Sequence, residues 1–372
     1  MEGKGLTKLH VNSLPTLTWN FLKINDAKVE ERIDLNGRCQ SLIHNIPNGI
    51  IIGNAGCEGC SGCDNVNGFD IRSINGGMGR EAGDFFDKAC EDSLVIRAKK
   101  GVKVKEALCI SYALKDTDST AIKQVIVAEE NSELTVVMDY SSGVSDGGFF
   151  GVQTKLYIGK GARINLVKIE LLGRSFLHFD DIGAVCDDTG SLNTIQMELG
   201  GGKSYVGSNI FLKGYKSNYK GDTAYLCIED QQLDMNYYIG HEGKKTSCDL
   251  TVKGALRDNA VKSFRGTIDL KKGAKGAKGQ ELEETLLLSE KVKNNTLPVI
   301  LCDEDDVEGS HGASIGRLSG DILFYMQSRG LSEKDAEILM TKAKINSVRN
   351  LITDDKSIGK IQHYMEDAFS RL

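Results

Sequence analysis

The chain has 372 residues, enough for a substantial core, and its 26% charged and 40% hydrophobic residues are ordinary for a soluble globular protein. With 42 Gly but only 3 Pro, it favours tight turns between strands over disordered linkers. A net charge of −6 without a long basic run excludes a nucleic-acid footprint, and the short apolar runs exclude a transmembrane helix.

The opening MEGKGLTKLHVNSLPT lacks the apolar core of a secretory signal. A cytoplasmic chain is expected, with its ten Cys reduced and buried or metal-bound rather than paired. Residues 1 to about 30 read as a short packed segment, with a turn near Pro15 and Trp19 as an apolar anchor. Ile50, Ile51 and Ile52 suggest a short strand. It leads into GNAGCEGCSGCDNVNG, where Cys57, Cys60 and Cys63 follow the spacing C-x2-C-x2-C. Thiolates bind soft metals, and two-residue gaps let one loop wrap several sulfurs around one centre. Gly59 and Gly62 supply the conformational freedom such a wrap needs. Three thiols make three quarters of a cluster site. Cys39, Cys90 or an exchangeable ligand would have to complete it. The alternatives are a redox-active thiol group or a turn without metal.

Residues 76 to 92 read as a short helix, with Phe85, Phe86 and Ala89 on one face and Cys90 as a buried thiol near its end. From about Ser93 the period changes to short alternating strands. Ser132-Glu133-Leu134-Thr135, Gly161-Ala162-Arg163-Ile164 and Gly190-Ser191-Leu192-Asn193 recur at intervals of 29 residues, the range of stacked solenoid coils. No long helix fits between the strands, which leaves a parallel β-helix or a Greek-key sandwich; the Gly-rich turns and the repeat favour the β-helix. His178, His241, Cys186, Cys227 and Cys248 are scattered single residues, read as structural. The Lys-Gly turn GAKGAKG lacks G-x-x-x-x-G-K-[ST], so nucleotide binding by this chain is rejected.

The densest group of ligand-type residues in the second half lies at a boundary: Cys302, the acidic run Asp303 to Asp306, Glu308 and His311. The acidic run itself reads as a solvated turn. After it the period becomes helical. Leu318, Ile322, Leu323, Tyr325 and Met326 share a face. Ser332 is an N-cap with Asp335 three residues on, followed by an Ala336, Leu339, Met340 and Ala343 stripe. That stripe either packs on the chain's own core or docks a partner.

These stretches resemble the SufB/SufD family of iron–sulfur cluster assembly proteins, the SufD-like branch most. The matches are Ser263-Phe264-Arg265-Gly266, Leu297-Pro298, Asp306-Val307-Glu308-Gly309-Ser310-His311-Gly312-Ala313, Gly316-Arg317-Leu318, Leu323-Phe324-Tyr325 and Ser328-Arg329-Gly330-Leu331-Ser332. Gly83-Asp84-Phe85-Phe86, Leu14-Pro15-Thr16 and Thr18-Trp19-Asn20 add to them. The resemblance implies a right-handed parallel β-helix core flanked by helical terminal regions: residues 1–92 mixed and helical with the Cys-rich loop, 93–315 the β-helix, and 316–372 a helical region docking an ATPase. It implies a scaffold or scaffold-partner subunit, not an enzyme, that dimerises with a like subunit and works with the ABC-type ATPase SufC. A sulfur donor belongs to the same system; nucleic acid and membrane do not. Leu323, Phe324, Tyr325, Arg329 and Leu331 would lie at the ATPase contact. His311 stands where the SufD histidine tied to iron entry or cluster ligation stands, and Glu308, Cys302 and Glu283 are its candidate companions. Gly309 replaces a Cys often found two residues before that His. Glu283 stands where the SufB-like branch carries a cluster-ligating Cys. The sulfur-accepting Cys of that branch has no match around Ser208 and Asn209, with Cys227 one coil away. The cargo implied is iron or a transient iron–sulfur cluster. Two other readings are a redox metalloprotein with a cluster on Cys57, Cys60 and Cys63, and a β-helix carbohydrate-active enzyme.

Overall fold

Strand-forming runs of about ten residues are separated by short polar turns, and each run pairs with the next run but one. Val136 pairs with Leu166, and Leu166 with Thr194, all in parallel. The computed structural model, which describes residues 6–16, 23–54, 65–66 and 69–370, therefore holds two nine-stranded sheets. The first sheet runs through Gln40–His44, Leu108–Ala113, Glu133–Ser141, Arg163–Leu171, Ser191–Glu198, Asn218–Cys227, Ser247–Leu256, Ala277–Leu287 and Val307–Gly316. The second runs through Ile50–Asn54, Ser93–Ala98, Ser119–Ala128, Gly147–Ile158, Ser175–Cys186, Lys203–Leu212, Gln232–His241, Val261–Leu270 and Lys293–Cys302. Only the first strand of each sheet is antiparallel to its neighbour. The result is a parallel β-solenoid of about eight turns. A Greek-key sandwich would require antiparallel neighbours throughout.

The 29-residue recurrence is an average of unequal coils. Asn165 donates to Thr135 across 30 residues at 3.1 Å, and Asn193 donates to Asn165 across 28 residues at 2.8 Å. Between the sheets Ile164, Leu192, Ile210, Leu250 and Ile268 are buried in one continuous core. Each such side chain stabilises the fold by about 2 kcal/mol. The turns that lead from the second sheet to the first share a left-handed corner residue. Glycine fills it at Gly161 and Gly276, but Asn131, Thr189, Lys216 and Lys245 fill it elsewhere, with φ between 53° and 58°. The corner N–H closes onto the next coil: Asn131 onto Lys160 O at 2.9 Å, Thr189 onto Tyr215 O at 2.8 Å, Lys216 onto Lys244 O at 2.9 Å.

Among the described residues before Ser93, six short strands precede a single α-helix. Thr7–Val11 pairs antiparallel with Ala27–Glu31, and the pair is strapped to the outer face of the second sheet. Asn12 Nδ2 donates to Asp234 Oδ1 at 2.7 Å, and Arg265 Nε and an Nη donate to the carbonyls of Ile24 and Asp26 at 2.8 and 3.0 Å. Helix α1 (Arg80–Ala89) buries Ala82 and Phe86, with Phe85 and Ala89 half-buried, against Phe149 and Phe179. The chain reaches it by pressing Gly77 against Gly207 and Ser208, where any β-carbon would overlap the Ser208 backbone.

Three helices follow the solenoid: α2 (Gly320–Ser328), α3 (Glu333–Arg349) and α4 (Asp355–Ser370). Ser332 caps α3 in a full capping box with Asp335. The stripe α3 buries is Ala336, Thr341, Ile345 and Val348, rotated from the expected one; Leu339 and Ala343 face solvent. With Ile361, Met365, Ala368 and Phe369 of α4 it covers the outer face of the first sheet at Ile169, Met197 and Leu226. Lys360 to Asp139 at 2.5 Å and Lys344 to Glu284 at 2.9 Å pin this contact. Among the described residues no helix is long and apolar enough to cross a membrane.

Candidate functional site at the uncovered end of the solenoid

The last strands, Lys293–Cys302 and Val307–Gly316, are the edges of their sheets, and nothing among the described residues covers them. Side chains alternate across a strand. On Ala277–Leu287 the inward, buried positions are Ala277, Gly279, Glu281, Glu283 and Thr285, and Leu286 is buried on the outer face among the C-terminal helices. Register places Gly309 over Gly279, His311 over Glu281 and Ala313 over Glu283. A β-carbon at Gly309 would touch Leu270 and Ile300 of the interior, whereas one at Gly312 would touch Leu282 outside. His311 thus stands on the inward column of the final coil, exposed because no further coil follows.

Beneath it lies a buried charged layer. Glu281 is 3% exposed, and Glu283 and Lys262 are fully buried and ion-paired. Lys262 also donates to Thr296 Oγ1 at 3.2 Å. Glu283 Oε1 accepts from Thr285 Oγ1 at 3.0 Å, and that hydroxyl lies 2.7 Å from the Tyr225 hydroxyl. Burial, then the charge of Glu283, pushes the Glu281 carboxyl up to about 8, against the pull of Lys262. Burial lowers Lys262 below the usual lysine range, with Glu283 opposing. The Ser263-Phe264-Arg265-Gly266 motif acquires a physical account here. Phe264 packs in the core and Arg265 pairs with Asp234 at 2.7 Å while holding the N-terminal strap. Gly266 leaves room for the Glu281 carboxyl.

The other expected ligands lie apart. Glu308 is on the outer face, paired with Lys278 at 2.8 Å. Cys302 is exposed at the corner, its Sγ 3.2 Å from Glu304 O. The acidic run forms the last corner turn, with Glu304 accepting from Gly273 N at 2.8 Å. Among the described residues no three of His, Cys, Asp and Glu converge to hold a metal ion. Cys57, Cys60 and Cys63, like Trp19, lie outside the described residues. Cys39 and Cys90 stand at the opposite, N-terminal end of the solenoid. Burial, with Asp118 nearby, raises the half-buried Cys39 thiol to about 11, and burial raises Cys90. On α2, Phe324 and Tyr325 are 74% and 59% exposed, and Arg329 lies over the Tyr325 ring at 5.3 Å. Leu323 and Leu331 are half-buried, and Met326 is buried.

Reading the sequence alone misses Lys262 and Glu281. The signal was present: the period-2 run from Ala277 and Gly279 continues inward to Glu281 and Glu283, with Leu282 left outside.

Residues 112–344 match the sequence profile of the family described as SUF system FeS cluster assembly, SufBD core domain. The chain belongs to the SufBD family. It is 26% identical over 245 residues to the iron–sulfur cluster assembly protein SufD of Bacillus subtilis, covering 65% of this chain and 56% of that one. It is 20% identical over 265 residues to SufD of Escherichia coli, covering 70% and 63%. Against the chloroplastic SufBD family protein ABCI8 of Arabidopsis thaliana it is 25% identical over 246 residues, covering 63% and 43%. The chain thus spans about half the length of these SufBD relatives.

Proposed function

We propose that this SufBD chain is a non-catalytic scaffold, or scaffold partner, in a SUF-type complex that builds iron–sulfur clusters from iron and sulfide. One observation carries the reading: His311 stands exposed on an uncovered final coil, above the buried Glu281, Glu283 and Lys262. Imidazole nitrogen suits iron, the cargo in this reading. Free edge strands present unpaired backbone groups that a second SufB/SufD-type subunit would cover, bringing its own ligands to His311. Cys302 and Glu308 flank the same end. The exposed face of α2, with Phe324, Tyr325 and Arg329, is assigned to a SufC-like ABC ATPase, and a sulfur donor would supply the complex. In this reading residues 1–92, 93–315 and 316–372 serve as strap, scaffold and ATPase dock.

The test is co-purification with the ATPase and a like subunit, then anaerobic reconstitution with iron and sulfide. The charge-transfer absorbance of the cluster should fall strongly in His311→Ala and persist when Cys57, Cys60 and Cys63 are changed to Ser. An unaltered spectrum in His311→Ala would end the scaffold reading of this site. Loss only in the triple Cys variant would favour the redox metalloprotein.

A further inference from the structure

A ridge of lysines runs along one corner of the solenoid, built from turns about 30 residues apart in sequence. Three successive turns hold Lys213 and Lys216, then Lys244 and Lys245, then Lys272 and Lys275, all exposed. Backbone hydrogen bonds stack these turns: Lys216 N donates to Lys244 O at 2.9 Å, and Lys245 N to Lys275 O at 2.8 Å. Adjacent strands lie about 4.8 Å apart, so six ammonium groups crowd an edge about 10 Å long. Glu242 is engaged with Lys271 at 3.3 Å, and Glu304, bonded to Gly273 N at 2.8 Å, meets Lys275 only at the far end of the ridge. Among the described residues the six form no ion pair. Lys213 and Lys216 lie over Phe69 and Tyr215 at 5.4 and 5.3 Å, and Tyr215 is itself 43% exposed. Lys216 and Lys245 also occupy the left-handed corner, which costs lysine roughly 1 kcal/mol relative to the glycine found there at Gly276. Six like charges thus persist together against mutual repulsion, on a chain whose net charge is −6.

We propose that this ridge docks a short acidic segment of a partner protein. Its boundaries select the occupant. Asp187 and Asp188 fill the turn before it, which bonds to the ridge through Thr189 N and Tyr215 O. Asp303 to Asp306 fill the turn after it, bonded through Gly276 N and Asp306 O. A nucleic-acid strand carries a charge about every 3.4 Å and would run off the ridge onto these acids at both ends. A flat anionic membrane would meet the same acids. A segment of only three or four Asp or Glu spans about 10–14 Å when extended and fits along the ridge, with Tyr215 at its edge, without reaching the flanking acids.

The full chain is titrated into a fluorescein-labelled tetraglutamate peptide, short enough to stay on the ridge, with anisotropy read at about 50 mM and about 300 mM salt. Wild type should bind at low salt and weaken at least about tenfold at high salt. A variant carrying Lys216→Glu, Lys244→Glu, Lys245→Glu and Lys275→Glu should lose at least about tenfold at low salt. The same charge change made at Lys88, Lys99, Lys291 and Lys334 should leave binding within about twofold. Thermal melts check that both variants fold; should the first not fold, Lys244→Gln with Lys275→Gln should still cost about threefold. Equal loss in the control variant, no binding of the peptide at low salt, or tighter binding of a DNA duplex or phosphatidylserine vesicles would each overturn the assignment.

Discussion

Lys262→Met removes the cation from a pair in which neither side chain is exposed. Methionine fills a similar volume, so the change is mainly electrostatic. Glu283 keeps its hydrogen bond from Thr285 but loses the ammonium, and its second oxygen has no hydrogen-bond partner. Removing one partner of a buried pair costs about 3–5 kcal/mol, whereas replacing both with apolar groups is about neutral or stabilising. Lys262→Met with Glu283→Leu should therefore recover most of the loss. The pair lies one coil from the uncovered end, and coils bond mainly to their neighbours, so the damage appears first as opening of the final two coils. A loss of this size multiplies the local opening constant by about 10² to 10⁴. Hydrogen exchange followed by mass spectrometry reads it directly, comparing residues 293–316 with residues 133–171 in the same sample. A single variant within about 1 kcal/mol of wild type, or a double variant no better than the single, would refute the reasoning.

Three further outcomes are expected. Glu281 titrates near 8 in the folded chain against an ordinary value of 4.5. Its contribution is therefore fully present below about pH 4.5 and is lost as pH rises through about 8. Urea midpoints should fall across that window and fall less in Glu281→Gln; Glu170, also raised to about 8 by burial, retains part of the slope. Phe324→Ala with Tyr325→Ala should leave stability within about 0.5 kcal/mol and abolish co-purification of the ATPase; undiminished co-purification would remove α2 from the contact. Thr189→Gly relieves a β-branched residue at φ 53° and should raise stability by up to about 1 kcal/mol, despite losing the bond from its hydroxyl to Asp188 O. A lower unfolding midpoint would contradict that account of the corners.

The solenoid was legible because stacking imposes a period, which the turns at Ser132, Gly161 and Gly190 preserve in sequence to within one residue. The Ile50 strand, the helix at Phe85 and Phe86, and the Ser332 cap were legible because each is specified by residues within one turn or strand. The corners were not, since Asn131, Thr189 and Lys216 stand where glycine would announce a left-handed turn. The charged layer under His311 was not, since Lys262 and Glu281 are polar side chains at inward positions, kept there by partners on other coils. The lysine ridge was invisible for a related reason: its members are about 30 residues apart and become neighbours only through the stacking. His311 was found through its Ser-His-Gly-Ala setting, but its place over Glu281 required the register.

The strap joining the chain's beginning to its later coils bears on the order of folding during synthesis. A solenoid made only of neighbour contacts can assemble coil by coil as it leaves the ribosome. Here Asn12 waits for Asp234, and the carbonyls of Ile24 and Asp26 wait for Arg265. The strands Thr7–Val11 and Ala27–Glu31 therefore reach their final place only after Arg265 has been made. Until then the part of the second sheet's outer face that the strap covers is bare, although α1 already covers Phe149 and Phe179. A nascent chain stalled before Arg265 would be a growing stack with a loose leading arm, open to proteases and chaperones at that arm while its coils are already closed.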